Sequence, residues 1–80
     1  MPDANRRDGL SAVVLASLHV SYHSQAVFEH PQLAGYAEEK FRKSADDAHE
    51  REVEAVAYTV AADFYAQVAQ DFKDGKLAPA

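Results

Sequence analysis

The stretch from Gly9 to Phe28 contains no Asp, Glu, Lys or Arg, although 26% of the whole chain is charged. Its Leu, Val, Tyr and Ala residues do not concentrate on one side of a 3.6-residue repeat, so a helix formed here is apolar on every side. Such a helix needs to be covered on every side, because large apolar patches are rare on the surface of soluble monomers. The stretch therefore requires more than one packing partner.

Helix signals place a first helix over residues 8–29. Asp8 or Ser11 can cap its N-terminus, and Pro31 follows its end, where proline is tolerated at the start of a further helix but not in an interior. We expect residues 1–7 to be disordered.

A second helix is predicted over residues 32–73. Good helix formers dominate this segment, and Gly75 is the expected stop. At ~1.5 Å per residue the helix would be about 60 Å long, unless it breaks near its polar middle. Residues 76–80 are expected to be disordered, and the whole chain, 1–80, forms a single small domain.

The second helix carries an apolar stripe that predicts a core-facing side. Between Ala55 and Gln70 its only charge is Asp63, so most of its other surface is also apolar. The stripe residues follow the helical period and are Val53, Val56, Ala57, Val60, Phe64 and Val68.

A lone hairpin leaves the far side of each helix in water, so one chain is not expected to cover both helices. The predicted fold is therefore all-α: a two-helix antiparallel hairpin, with a short first and a long second helix, that completes a four-helix bundle. Completion requires oligomerisation or docking to a partner protein. A stripe of small residues on the first helix would let another helix come close: Ser17, Ser21 and Ser24.

Charge and composition exclude several classes of function. The net charge of -5 argues against binding a nucleic acid backbone, and no apolar run is long enough to predict a membrane span. Arg6 and Arg7 before an apolar run resemble an export signal, but Asp8 interrupts the junction and no good cleavage site follows, so an uncleaved, cytoplasmic helix is expected.

The sequence patterns typical of covalent catalysis or of organic cofactor binding are missing from the chain, including a serine in a strand-turn-helix context. There is no cysteine and no glycine-rich phosphate loop, so no organic cofactor is predicted. A metal would have to be held by His, Asp and Glu.

Three of the four histidines share one side of the first helix. His19, His23 and His30 fall within about 40° of one another at ~100° per residue. Histidines at i and i+4, such as His19 and His23, can bind one metal ion. The alternative is that they are ordinary helix residues at an interface or in solvent, and His30 fits a role at the helix end.

Asp46 and His49 form an Asp-x-x-His pair on the same face as the apolar stripe, which would aim a carboxylate at the core. A buried carboxylate needs a metal, a histidinium or an arginine such as Arg42 to neutralise it. In the alternative, the core-facing side of the helix before residue 50 is formed by Ala37, Phe41 and Ala48. Asp46 and His49 then lie on a face that is exposed to solvent.

The segment "FEHPQLAGYAEEKFRKSADDAHERE" (residues 28–52) resembles the end of the first helix, the turn and the start of the second helix in ferritin-like proteins. That family carries Glu-x-x-His ligands in its di-iron helical bundles. The resemblance implies Asp46 and His49 as metal ligands, with Asp47 or Glu50 near the site.

The chain departs from the family pattern in two ways. The motif has Asp in place of Glu, and the first helix lacks a mid-helix carboxylate, because Glu29 is close to its end. His19 or His23 could take that place, giving a nitrogen-rich site that suits iron, copper or zinc. Encapsulated ferritin-like chains are half-bundles that dimerise, and this chain is similar to them in its predicted hairpin.

Two functions follow from these observations. The first is a metal-binding, ferritin-like helical hairpin that acts as an oligomer and binds or oxidises iron. The alternative is a non-catalytic accessory or scaffold subunit whose apolar first helix docks into a larger protein complex. The first function includes an enzymatic activity and the second does not, so the sequence leaves open whether the chain is an enzyme.

Overall fold

The computed structural model describes residues 2–48 and 51–79, with side chains described from residue 11 onward. Within these ranges the chain forms no strand and three helices: α1 (Pro2–Glu29), α2 (Leu33–Asp47) and α3 (Glu52–Lys73). The all-α class is confirmed. The prediction of two helices is wrong, because residues 32–73 form α2 and α3; the break near the polar middle that the sequence left open is present.

Charge at the helix ends explains where the predicted second helix divides. Asp46 and Asp47 occupy the last turn of α2, where carboxylates oppose the helix dipole. Glu52 and Glu54 occupy the first turn of α3, where carboxylates are favoured. Arg51, with φ -106° and ψ 85°, lies outside the helical region. The division lets α2 fold back on α3, which a continuous rod could not do.

Helix α1 begins earlier than the sequence signals indicate. It starts at Pro2, so neither Asp8 nor Ser11 is its cap, and residues 2–7 of the segment predicted to be disordered are helical. Proline is compatible with this position because the first helical N–H groups have no intrahelical acceptor and the ring presets φ. The predicted end of the helix, at Glu29, is confirmed.

The end of α3 agrees with the sequence signal. Gly75 adopts the left-handed conformation, with φ 77°, and the Lys76 N–H donates a 2.8 Å hydrogen bond to the Asp71 carbonyl. This bond closes a Schellman motif, which needs a residue at positive φ and therefore favours glycine. Leu77 packs against the core beyond this motif, so part of the predicted disordered segment 76–80 contributes to packing.

The three helices are arranged around α3. Helix α2 runs antiparallel to α3 and α1 runs parallel to it, and both pack on α3 far more than on each other. Ring contacts fix the alignment of α1 with α3: the centroids of Phe28 and Phe72 are 5.7 Å apart, and those of His19 and Tyr58 are 4.7 Å apart. The cleft between α1 and α2 is consequently only partly closed.

The core is made mostly of small side chains. Eight of the twelve buried apolar residues in the described part of the chain are alanine, and the larger four are Val27, Phe41, Tyr65 and Val68. Alanine allows helix backbones to come close, but each alanine removes little apolar surface from water. Most of the apolar burial therefore depends on these four side chains and on the partly buried residues that pack against them.

The core-facing side of α3 differs from our prediction. Val56, Val60 and Phe64 are 47%, 45% and 42% exposed, whereas Ala57 and Val68 of the same predicted stripe are buried. The core side is centred on Tyr65 instead. Helix α3 is apolar around most of its circumference, so hydrophobic periodicity alone does not identify the side that faces the core. The side with small residues packs more closely than the side with large residues, and it is the one that is buried.

Tyr65 connects the three helices. Its side chain is 0% exposed, and its hydroxyl donates a hydrogen bond to the Val20 carbonyl of α1. Its ring is stacked on that of Phe41 from α2, with centroids 6.0 Å apart and planes 5° from parallel. Burial raises the pKa of the Tyr65 phenol, which moves its ionisation further above neutral pH, where the hydroxyl is already a donor.

We predict that Tyr65→Phe lowers the free energy of unfolding by about 0.5–1.5 kcal/mol, because it removes one hydrogen bond and keeps the ring. Urea unfolding followed by circular dichroism measures the difference. Tyr58→Phe is the matched control, because among the described residues the Tyr58 hydroxyl has no hydrogen-bond partner. Equal effects of the two substitutions would contradict a structural role for the Tyr65 hydroxyl.

Candidate functional site

His19 is enclosed by aromatic rings. It stacks on Tyr58 of α3, with ring centroids 4.7 Å apart, and lies 5.7 Å from the ring of Phe41 of α2. Its Nε2 atom is buried and has no hydrogen-bond partner within the described part of the chain. The imidazole thus acts as a packing element between the three helices, at the cost of an unsatisfied nitrogen.

His23 lies one turn further along α1, in the cleft between α1 and α2. Its ring is nearly perpendicular to those of Phe41 and Tyr22, and the ring centroids are 5.4 Å and 5.0 Å away, respectively. Burial lowers the pKa of His23 below its usual 6.5, and the positive charges of Lys40 and His19 lower it further. The environment therefore favours a neutral imidazole.

The other predicted metal ligands are spread over the surface. Glu29 accepts a 3.3 Å hydrogen bond from Gln25 at the end of α1. The backbone carbonyl of His30 accepts the Leu33 N–H at 2.8 Å in the turn before α2. His49 and Glu50 lie outside the described residues. Four of the candidates are exposed: Glu29, His30, Asp46 and Asp47.

The predicted ligands do not converge into a metal site in the described part of the chain. No three His, Asp or Glu side chains there come together in a group that could hold a metal ion. Asp46 is exposed, whereas the core of this region is formed by Ala37, Phe41 and Ala48. For Asp46 the structure therefore has the exposed arrangement, which is one of the two that the sequence left open.

Arg42 has a partner that sequence reasoning missed. Its guanidinium donates to Glu38, one turn earlier on α2, at 2.9 Å and also to Asp63 of α3 at 3.1 Å. Asp63 was recognisable as the only charge between Ala55 and Gln70. Arg42 thus links α2 to α3 at the surface.

Large apolar side chains cover the outer side of α1. Val14, Leu18 and Tyr22 are spaced one turn apart and are 60%, 62% and 85% exposed. We call these three residues the α1 ridge. A helix turns by ~100° per residue, which places these three side chains on the side opposite the buried Ala16 and away from the core.

A shallow groove lies beside the ridge, between α1 and α3. Ser17 and Ser21 belong to its lining, and their small side chains leave room, partly because the Ser17 hydroxyl turns back to the Val13 carbonyl at 2.9 Å. We call this surface the α1/α3 groove, and its lining residues are Val13, Ala16, Ser17, Val20, Ser21, Val60 and Phe64. Two members of the predicted serine stripe therefore lie where another helix could approach.

None of the helices in the described part of the chain combines the length and the hydropathy needed to cross a membrane. Comparison with known protein families, with curated proteins and with solved structures gives no match in any of the three. Functional inference therefore starts from the surfaces themselves.

We predict that the fold loses stability as the pH falls below about 6.5, because the folded-state pKa of His23 is below that value. At a pH above the pKa of His23 in the unfolded chain, the imidazole is neutral in both states and the folded state has its full stability. As the pH falls below that pKa, the unfolded chain takes up the proton first and the free energy of unfolding decreases. The decrease ends once the pH is below the lowered pKa of His23 in the folded state. Urea unfolding at pH values of about 7.5 and 5.5 measures this.

The variant His23→Gln is expected to flatten this pH dependence. His30→Gln is the matched control, because His30 is exposed in the turn after α1 and should leave the pH dependence unchanged. A pH profile of His23→Gln that is identical to that of the original chain would contradict the assignment.

Proposed function

We propose that the chain is a small, non-catalytic helical interaction subunit that pairs with a second copy of itself through the α1 ridge and the α1/α3 groove. The distribution of side-chain sizes carries this proposal. Alanine dominates the core, while seven large apolar side chains of α1 and α3 remain exposed in the described part of the chain: Val13, Val14, Leu18, Tyr22, Val56, Val60 and Phe64. A chain with so few large residues inside gains most by burying those outside.

The exposed surface has the extent of a standard interface. The seven side chains together present on the order of 700 Å², close to the about 800 Å² that each partner buries in a typical stable complex. Most of this surface belongs to aliphatic or aromatic side chains, as in the buried centre of homodimer interfaces. The area supports association of whole folded chains.

The ridge and the groove are complementary features of the same helix. On α1 they lie roughly 100° apart, so a two-fold axis beside the helix can place the ridge of each copy in the groove of the other. Ser17 and Ser21 would allow the two α1 helices to approach, and Leu18 of one copy would reach Phe64 of its partner. This arrangement needs no third component.

Charge also favours a second copy as the occupant. The net charge of -5 would oppose self-association if the acidic groups lay at the contact, but α1 carries no Asp, Glu, Lys or Arg between Gly9 and Phe28. Most of the acidic residues lie in α2 and near the ends of α3, and Asp63, which precedes Phe64 of the groove, is paired with Arg42. Two copies can therefore meet through α1 with little repulsion.

We predict that the chain is a dimer at about 10 µM and that Leu18→Glu weakens dimerisation at least about thirtyfold, because it would bury an unpaired carboxylate. Sedimentation equilibrium measures both values. Tyr36→Glu is the matched control, because Tyr36 is a large exposed residue on α2, away from the groove, and should leave the dimer intact.

The variant Ser17→Leu separates specific pairing from general stickiness. It makes the surface more apolar, so non-specific association would increase, whereas filling the α1/α3 groove should weaken the dimer. A monomeric original chain would contradict self-pairing and direct attention to a different protein as the partner, which is the docking alternative raised by the sequence.

A metal-binding role remains a second proposal, and it rests on the resemblance of Asp46-x-x-His49 to the ferritin-like motif. The described residues of one chain do not fit a metal site. The proposal therefore requires His49 and a second copy. Iron, or another transition metal, would be held by Asp46 and His49 of two chains.

If that second proposal is right, native mass spectrometry after incubation with ferrous iron will show about one or two ions retained per pair of chains, as a shared two-chain site requires. The double variant Asp46→Ala, His49→Ala should lose the iron, whereas Glu39→Ala, an exposed carboxylate elsewhere on α2, should not. Unchanged iron retention in the double variant would end the metal-binding proposal.

A further inference from the structure

A cavity between α1 and α2 is separate from the α1/α3 groove. It exists because both helices pack mainly on α3, which leaves the contact between them incomplete. Its volume is about 130 Å³, and it is lined by residues of both helices: His23, Ala26, Val27, Leu33, Tyr36, Ala37, Lys40 and Phe41. None of these residues belongs to the ridge or the groove.

The lining is apolar inside and basic at one edge. Val27, Ala37 and Phe41 are buried and form an apolar floor. Lys40 is exposed, so its ammonium group can stay in solvent while its stem follows the cavity wall. The cavity thus combines an apolar interior with a cationic group near its entrance.

Lys40 has no carboxylate partner in the described part of the chain, where the ion pairs join Arg42 to Glu38 and Asp63, and Arg51 to Glu54. Its charge is felt inside the cavity, because it contributes to the lowered pKa of His23. An anion at this edge would therefore meet a positive charge that is not already engaged in an ion pair.

We propose that this cavity binds a small carboxylic acid with an apolar body, which inserts between α1 and α2 and places its carboxylate beside Lys40. The volume sets the size of the ligand, since an engineered apolar cavity of about 150 Å³ binds benzene. A single aromatic ring or a short branched chain fits, and a drug-sized molecule does not. The binding site does not depend on the proposed dimer, because the α1/α3 groove contributes no residue to it.

Benzoate is a suitable probe, with benzyl alcohol as the neutral molecule of the same shape. Titration followed by methyl NMR of Val27 and Leu33 reports occupation of the cavity directly. We expect benzoate to bind with Kd on the order of 1 mM, given its few atoms, and benzyl alcohol to bind about tenfold more weakly.

The variant Lys40→Gln should weaken benzoate binding about tenfold and leave benzyl alcohol unaffected. Lys43→Gln is the matched control, because Lys43 lies almost one turn further along α2 and does not line the cavity; benzoate affinity should stay within about twofold. Both substituted residues are exposed, so both variants should fold.

Two results would overturn the proposal. Equal binding of benzoate and benzyl alcohol, unchanged in Lys40→Gln, would make the cavity a simple apolar void. No change in the Val27 and Leu33 methyl signals at about 20 mM benzoate, well above the expected Kd, would mean that the cavity takes no ligand of this class. The same titration on Leu18→Glu, in which dimerisation is weakened, should give an unchanged benzoate affinity. The outcome for the ligand is therefore independent of the outcome for the dimer.

Discussion

Tyr65 lies where the three helices meet, and its contacts hold together a core that otherwise consists mainly of alanine. Its ring stacks on Phe41, and its hydroxyl bonds to the backbone of α1. Around this point Ala57, Ala61 and Ala62 let the helices come close. Close approach gains dispersion contacts but buries little apolar area, so a chain built this way has only modest stability as a monomer.

The same choice of small core residues leaves the larger ones outside, and this connects the fold to the proposed function. Leu18 and Phe64 would be core residues in a single-chain bundle, and here they are exposed beside a groove that contains Ser17. Association would complete the burial that the fold begins. In this account His19 and His23 complete the aromatic packing, which explains their position without a metal.

Sequence patterns predicted the helical class, the end of α1 and the glycine stop of α3, because these depend on local chemistry. The division near Arg51 was left open, since helix propensity is high on both sides and only the placement of acidic residues marks it. The inward side of α3 was missed. Periodicity locates an apolar face only where the opposite face is polar, and α3 has apolar residues on both. The partner of Arg42 depends on tertiary folding, which no local pattern reports.

The most direct test of the paired-helix account uses the absence of cysteine from the chain. A single Ser21→Cys variant, treated with a mild oxidant at about 10 µM, should form a disulfide-linked dimer, because two-fold pairing brings the two copies of α1 together at this position. Gln70→Cys, exposed on α3 away from the groove, should stay unlinked under the same conditions. If the two variants cross-link equally, or if Ser21→Cys stays monomeric, the α1 helices do not meet and the account is wrong.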